Sequence, residues 1–130
     1  MNNFQSESKK SGDEFENLVE QDLVSRNGIV VGKDYWVKEI GIELDYIADL
    51  PTRTEYVEAK GGHTGGKKRP GAQRTDNVKK AVCNGALLKH LYRSAYYVIY
   101  FSAPPKPNSY SDNMIKTALD AGYVDEVRYL

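Results

Sequence analysis

The chain has 130 residues, a formal net charge of zero and a single cysteine, Cys83. This length favours one domain, and one cysteine excludes an internal disulfide, which fits a reducing compartment. The most apolar segment, residues 95–103, is too short to span a bilayer, and the polar start lacks the apolar run of a secretory signal. We therefore expect a soluble, cytoplasmic protein with no membrane partner.

The charges are divided unevenly along the chain. Residues 11–58 carry twelve acidic and four basic side chains, whereas residues 59–93 carry nine basic side chains and one acidic. An acidic half followed by a basic half is typical of a metal centre beside a phosphate-binding surface.

The first predicted element is a helix that follows a disordered lead-in at residues 1–10. It is expected to start at residues 11–13 and to end at the RNG stretch, residues 26–28. Asp22 interrupts its apolar stripe, and pairing with Arg26 one turn later would relieve that burial. The apolar positions at helical spacing are Phe15, Leu18, Val19 and Leu23.

Three strands are predicted next, DYWVKEI, IELDYIADL and TEYVEAK, with a turn at PTRT between the last two. A loop rich in glycine and lysine leads to a helix at about 73–92, in which Cys83 is expected to be buried. The strand SAYYVIYF, a helix at 112–121 and the strand YVDEVRYL follow. The order αβββαβαβ predicts one α/β domain, residues 11–130, with a mixed central sheet flanked by helices. The core positions expected of the second helix are Val78, Val82, Leu87, Leu88 and Leu91.

The hairpin at residues 41–62 carries an unusual concentration of charge. A tight turn at residues 51–54 pairs Leu50 with Glu55, and the same register places Asp45 opposite Lys60. Because side chains alternate along a strand, Glu58 joins this pair on one face. The opposite face is expected to be core, with Leu44, Tyr46, Ala48 and Val57.

These three side chains suggest a specific chemistry. Two neighbouring carboxylates repel each other unless a hard cation such as Mg²⁺ binds them. A lysine beside them is not a ligand while protonated, but it can stabilise developing negative charge or orient a water molecule. With the basic segment that follows, the pattern predicts metal-assisted phosphodiester hydrolysis. The alternative is an ordinary solvated strand face with cross-strand partners.

Asp45, followed by Glu-Ala-Lys at 58–60, resembles the motif of the PD-(D/E)xK nuclease superfamily. The resemblance covers residues 11–101 and implies an αβββαβ restriction-endonuclease-like core with a C-terminal α-β extension. It further implies that Asp45, Glu58 and the Ala59 backbone carbonyl bind Mg²⁺, for which Mn²⁺ substitutes, while Lys60 assists the attacking water. One departure is Leu44, which stands where the motif name has proline.

Two further residues match features found in many members of that superfamily. Glu16, in the first helix, matches an additional catalytic and metal-binding glutamate, although a surface glutamate near a helix start is the simpler alternative. Gln73, at the start of the second predicted helix, matches an additional catalytic glutamine. Basic side chains of the loop and helix are expected to contact DNA phosphates, namely Lys67, Lys68, Arg69, Arg74, Lys79 and Lys80.

The predicted function is therefore that of a Mg²⁺-dependent DNA endonuclease. Sequence-specific duplex cleavage, as in restriction or homing enzymes, is preferred, and resolution of branched DNA such as Holliday junctions stays open. Because a chain of this size has little room for a recognition domain, a homodimer or higher oligomer with one site per DNA strand is expected. A non-catalytic nucleic-acid-binding module and a subunit of a larger DNA-processing complex are the alternatives.

Overall fold

A computed structural model of the chain describes residues 3–62 and 69–130, with side chains described from Glu14 onward. Within these residues the order is αβββαβαβ, as predicted. The helices are α1 (Asn3–Ser25), α2 (Thr75–Leu91) and α3 (Tyr110–Ala121). The strands are β1 (Ile29–Val37), β2 (Ile42–Asp49), β3 (Thr54–Lys60), β4 (Tyr96–Phe101) and β5 (Glu126–Tyr129). No described helix is both long and apolar enough to cross a membrane.

Helix α1 begins at Asn3, earlier than the predicted start at residues 11–13. Helix α3 begins after Ser109, whose side chain accepts a hydrogen bond from the Asp112 backbone. It ends at Gly122, which adopts the left-handed conformation that suits glycine at a helix end.

The five strands form one mixed sheet in the order β1-β2-β3-β4-β5. Strands β1, β2 and β3 are antiparallel neighbours, and β4 and β5 continue the sheet parallel to β3. Helix α2 connects β3 to β4, and α3 connects β4 to β5, as parallel neighbours require a crossover. The apolar strand β4 therefore lies inside the sheet, with both faces covered.

The register between β2 and β3 differs from the predicted one by two residues. Leu50 donates its backbone N–H to Arg53, so the turn contains only Pro51 and Thr52, and Glu55 pairs with Ala48 instead of Leu50. The prediction was wrong because it counted all four PTRT residues as turn. A shift of two residues preserves the alternation of faces along the paired segment, and Glu58 and Lys60, two residues apart on β3, share one face whatever the register.

Each face of the sheet packs against its own helix layer. Helix α1 covers a cluster around Tyr46, Val57 and Tyr100, and α2 and α3 cover a cluster around Leu44 and Ile99. Leu44 and Tyr46 were expected on one face, yet they belong to different clusters. Residues two apart on a regular strand share a face, so β2 departs from regular alternation at Asp45.

Some expected core positions are exposed. Leu18 of α1 and Leu87 and Leu91 of α2 are partly solvent-exposed, and Cys83 is exposed rather than buried. The buried face of α2 is lined by smaller residues, including Ala81 and Gly85. A side chain at Gly85 would collide with the Tyr97 ring and the Tyr123 backbone, so α2 approaches the sheet closely at this position. The buried residues of α2 are Val78, Ala81, Gly85 and Leu88.

A buried ionic network joins three strands and helix α1. The Arg128 guanidinium donates two hydrogen bonds to the Glu55 carboxylate, at 2.8 and 2.9 Å, and one to the Tyr100 hydroxyl, which in turn donates to Asp22. Burial opposes the charge on Arg128, but hydrogen bonds to Glu55, Glu126 and Tyr100 raise its pKa above the ordinary value. Asp22 also pairs with Arg26 at 2.8 Å, which confirms the predicted relief of its burial.

We expect Arg128→Met to lower the free energy of unfolding by about 3 kcal/mol, because the fully buried Glu55 carboxylate loses its buried charged partner and keeps only the partly exposed Arg53. Urea unfolding at neutral pH measures this. Lys80→Met, which breaks an exposed pair with Asp76, should change stability by less than about 1 kcal/mol. Adding Glu55→Gln to Arg128→Met should recover part of the loss. Equal losses for Arg128→Met and Lys80→Met would contradict a stabilising role for the network.

Candidate metal centre

Strands β2 and β3 separate where the charged residues lie. Their pairing extends from Asp49–Thr54 to Tyr46–Val57 and stops there. The next residue of β2, Asp45, instead accepts a hydrogen bond at Oδ2 from the Ala59 backbone N–H, at 2.7 Å. The carboxylate therefore takes the place of a ladder bond, which fixes it beside the end of β3.

Glu58 lies next to Asp45 and is only 3% exposed. Its Oε2 accepts a hydrogen bond from the Asn84 amide of helix α2, and its carboxyl group also hydrogen-bonds Asp45. Burial, the hydrogen bond with Asp45 and the negative charge of Asp45 raise the pKa of Glu58 to about 9. At neutral pH and without a cation, Glu58 therefore keeps its proton.

Lys60 is half-buried on the same face of β3 as Glu58, two residues further along. Its positive charge lowers the pKa of Glu58 and so partly opposes the effects of burial and of Asp45. The structure thus brings together Asp45, Glu58 and Lys60, the three residues on which the sequence prediction depends. The predicted pairing of Asp45 with Lys60 is wrong, because continuing the observed register sets Asp45 opposite Glu58.

A second group of carboxylates meets Asp45 from the other side. One oxygen from each of Glu16, Asp34 and Asp45 lies within 4.8 Å of the others. Glu16 is carried by α1, whose backbone at that residue accepts a hydrogen bond from the Tyr46 hydroxyl. Burial, together with the charges of Glu20, Glu16, Asp45 and Asp34, raises the pKa of that hydroxyl. Asp45 therefore belongs to both groups of acidic residues.

Asp34 was not among the residues predicted for the site. It lies in β1 with a left-handed φ of 48°, between the pairs Lys33–Tyr46 and Tyr35–Leu44. Aspartate tolerates this conformation better than most residues. The signal that would have found it is the register of the β1–β2 hairpin, which sets Asp34 opposite Asp45, but no register was predicted for this hairpin.

Gln73 lies in a short 3₁₀ turn, Gly71–Gln73, before α2. The turn is tied to the end of β3, because the Gly71 N–H donates to the Gly61 carbonyl, and to β4 through Ala103. A Cβ at Gly71, whose φ is 51°, would lie 2.5 Å from the Ala103 nitrogen, so only glycine fits. Among the described residues, no hydrogen bond joins the Gln73 side chain to Asp45, Glu58 or Lys60.

The predicted DNA-binding residues divide into three groups. Lys67 and Lys68 lie outside the described residues. Arg69 and Lys79 are exposed. Arg74 and Lys80 both pair with Asp76, at 3.6 and 3.1 Å, in exposed contacts that remain open to a competing phosphate.

Comparisons with known proteins give one similar structure. No family model matches the chain, and no curated protein matches it. The structure of Pyrococcus furiosus SfsA in complex with Ca²⁺ matches with a TM-score of 0.49 and 17% sequence identity. The alignment covers 94% of this chain and 55% of that one, so this chain spans about half the length of SfsA.

We expect the metal-free protein to lose stability as pH rises from about 5 to 9. Folding raises the pKa of Glu58 from 4.5 to about 9, so in this range the folded state holds a proton that the unfolded state has released. The limiting slope for one group is about 1.4 kcal/mol per pH unit. Urea unfolding in EDTA should show that Glu58→Gln, a neutral replacement of similar shape, flattens this slope.

Glu39→Gln is the matched control, since this glutamate is solvent-exposed on a short turn between β1 and β2. It should leave the slope unchanged. An equal slope in wild type and Glu58→Gln would contradict the raised pKa.

Proposed function

We propose that this protein is a metal-dependent nuclease that hydrolyses phosphodiester bonds in DNA. The observation that carries the proposal is the convergence of Asp45, Glu58 and Lys60 at the point where β2 and β3 separate. Such a group of acids and one base has no role in packing a core.

The acidic residues fit a hard divalent cation. Oxygen ligands around one ion lie at most twice the metal–oxygen distance apart, which is about 4.2 Å for Mg²⁺ and about 5 Å for Ca²⁺. The oxygens of Glu16, Asp34 and Asp45 lie within 4.8 Å of one another, so they suit the larger ion directly and Mg²⁺ after a small contraction. Glu58 and the Ala59 carbonyl would complete the site on the β3 side, as the superfamily resemblance implies. Mg²⁺ is the proposed cofactor, with Mn²⁺ as a substitute.

Each residue has a distinct part in the proposed reaction. The bound cation would polarise the scissile phosphate and lower the pKa of a water molecule. Asp45, held by the Ala59 N–H, keeps a fixed orientation, and Glu58 would give up its proton in order to hold the cation. Lys60 remains beside the carboxylates as a cation that stabilises the negative charge developing on the phosphate.

The superfamily and substrate assignments belong to this proposal. The αβββαβ order of the first six elements is the order that a PD-(D/E)xK core would have, and α3 with β5 would be its extension. Arg69, Arg74, Lys79 and Lys80 are proposed to contact DNA phosphates, and Gln73 is proposed to approach the site when substrate is bound. Cleavage of both strands would use a homodimer with one site for each strand.

We expect purified protein with Mg²⁺ or Mn²⁺ to cleave plasmid or four-way-junction DNA, and Asp45→Asn to reduce the rate by about 100-fold or more. Asparagine retains an oxygen that accepts the Ala59 N–H, so the variant removes charge while preserving the strand contact. Lys60→Met should reduce the rate similarly. Gel-based cleavage assays at fixed metal concentration measure both effects.

Asp49→Asn and Lys106→Met are the controls for this experiment. Asp49 lies on the same strand as Asp45 but is exposed, and Lys106 is exposed in the loop before α3. Both variants should cleave at the wild-type rate. DNA binding without cleavage of any substrate would instead favour the non-catalytic binding module, and activity that needs an added protein would favour the subunit of a larger complex.

Asp34 provides a separate test of the metal site. We expect Asp34→Asn to weaken Mn²⁺ binding by roughly tenfold or more, because one of three clustered carboxylates is neutralised. Isothermal titration calorimetry measures this without DNA. Asp49→Asn should bind Mn²⁺ as the wild type does, and unchanged affinity in Asp34→Asn would remove Asp34 from the site.

A further inference from the structure

A cleft of about 410 Å³ lies between the β1–β2 hairpin and the last turns of α2. The side chains of Leu44, Ile47 and Leu88 contribute apolar surface to its lining. Four aromatic residues and two charged ones also line it, namely Tyr35, Trp36, Tyr56, Tyr92, Lys38 and Glu39. We refer to it as the aromatic cleft.

The aromatic side chains that line the cleft are more exposed to solvent than side chains whose only role is to pack the folded chain. Trp36 is 58% exposed, Tyr35 51% and Tyr92 49%, although each lies beside an apolar concavity. Exposed aromatic surface around a concave, partly polar site is typical of ligand binding. The volume lies within the range of small-molecule sites.

The aromatic cleft adjoins the proposed metal centre through two elements. Tyr56 lines the cleft, and Glu58 lies two residues along the same face of β3, about 7 Å away. Leu88 also lines the cleft, and Asn84 lies one turn earlier on the same face of α2. Asn84 hydrogen-bonds Glu58, so both β3 and α2 extend from the aromatic cleft to the Glu58 carboxyl group.

We propose that the aromatic cleft binds an unpaired nucleobase of the DNA strand whose phosphodiester bond lies at the metal centre, which deepens the proposed function and rests on it. Aromatic faces stack on bases whatever their sequence. The Glu39 carboxylate is suited to accept from an exocyclic amino group, and the Lys38 ammonium to contact a flanking phosphate.

The substrate class follows from this chemistry. A base stacked and paired within a duplex offers no free face to a cleft, so it must be extruded or already unpaired. Branched DNA, flaps and single strands present such bases without the cost of unstacking. The aromatic cleft therefore favours cleavage near unpaired bases over cleavage within an intact duplex.

A second copy of the chain is the other occupant to consider, since β1 is an edge strand. The cleft carries one cationic and one anionic side chain among its rings, and it continues into a site suited to phosphodiester chemistry. Both features fit a nucleotide. Binding of a second copy in the cleft is therefore the alternative result that the experiment below distinguishes.

Trp36 is the single tryptophan of the chain, so its fluorescence reports occupancy of the aromatic cleft directly. The full chain is titrated in EDTA with a single-stranded oligonucleotide and with a blunt duplex of the same sequence. We expect the single strand to quench Trp36 strongly and the duplex to quench it weakly. Tyr92→Ala should weaken single-strand binding by roughly tenfold or more without affecting duplex binding.

Tyr110→Ala is the matched control, because Tyr110 is 86% exposed and does not line the cleft. It should bind both DNAs as the wild type does. Tyr35→Ala gives a second variant if Tyr92→Ala fails to fold, as checked by circular dichroism. If single-stranded DNA quenches Trp36 but no metal-dependent cleavage occurs, the proposed nuclease activity is contradicted and base binding in the cleft is not. If cleavage occurs but DNA does not quench Trp36, base binding in the cleft is contradicted and the nuclease activity is not. Equal quenching by both DNAs, or a Trp36 signal that depends on protein concentration without DNA, would overturn the proposal.

Discussion

The hydrogen bond from the Ala59 backbone to the Asp45 carboxylate is the contact on which the candidate site depends. In an antiparallel ladder, backbone N–H groups donate hydrogen bonds to backbone carbonyls of the neighbouring strand. Here the Asp45 carboxylate replaces one of those carbonyls as the acceptor. The strands can then separate without leaving a buried N–H unsatisfied. Separation at this point turns Leu44 and Tyr46 to opposite helix layers and leaves Asp45 between them, facing both Glu58 and the Glu16–Asp34 pair.

Closely placed acids destabilise a folded chain, and this structure limits that cost in two ways. Glu58 keeps its proton at neutral pH and hydrogen-bonds Asp45, and the Asn84 amide donates to Glu58 Oε2. Asn84 thus fixes the carboxyl group without adding charge, so the group keeps its orientation whether or not it is protonated. A lysine in that position would neutralise Glu58 permanently and weaken its attraction for a cation.

The sequence predicts the elements and their order well, because strand alternation and helical spacing are local signals. The prediction also places Asp45, Glu58 and Lys60 together, because a register error of two residues leaves each side chain on the same face of its strand. The register itself was missed because the Pro51–Thr52 turn is shorter than its composition suggests. Asp34 and Asn84 were missed for a different reason: each reaches the site through tertiary contacts, between β1 and β2 for one and between α2 and β3 for the other.

The pairing of Glu55 with Arg128 has a consequence for synthesis of the chain. The two residues are separated by 73 positions, so a nascent chain that has just completed β3 carries a carboxylate that can pair with Arg53, while its buried partner Arg128 has not yet been translated. At typical elongation rates the ribosome needs about 4–15 s to reach that arginine. Because Arg128 lies on β5, the last strand of the chain order, the full set of buried partners around the Glu55 carboxylate is complete only after β5 has joined the sheet.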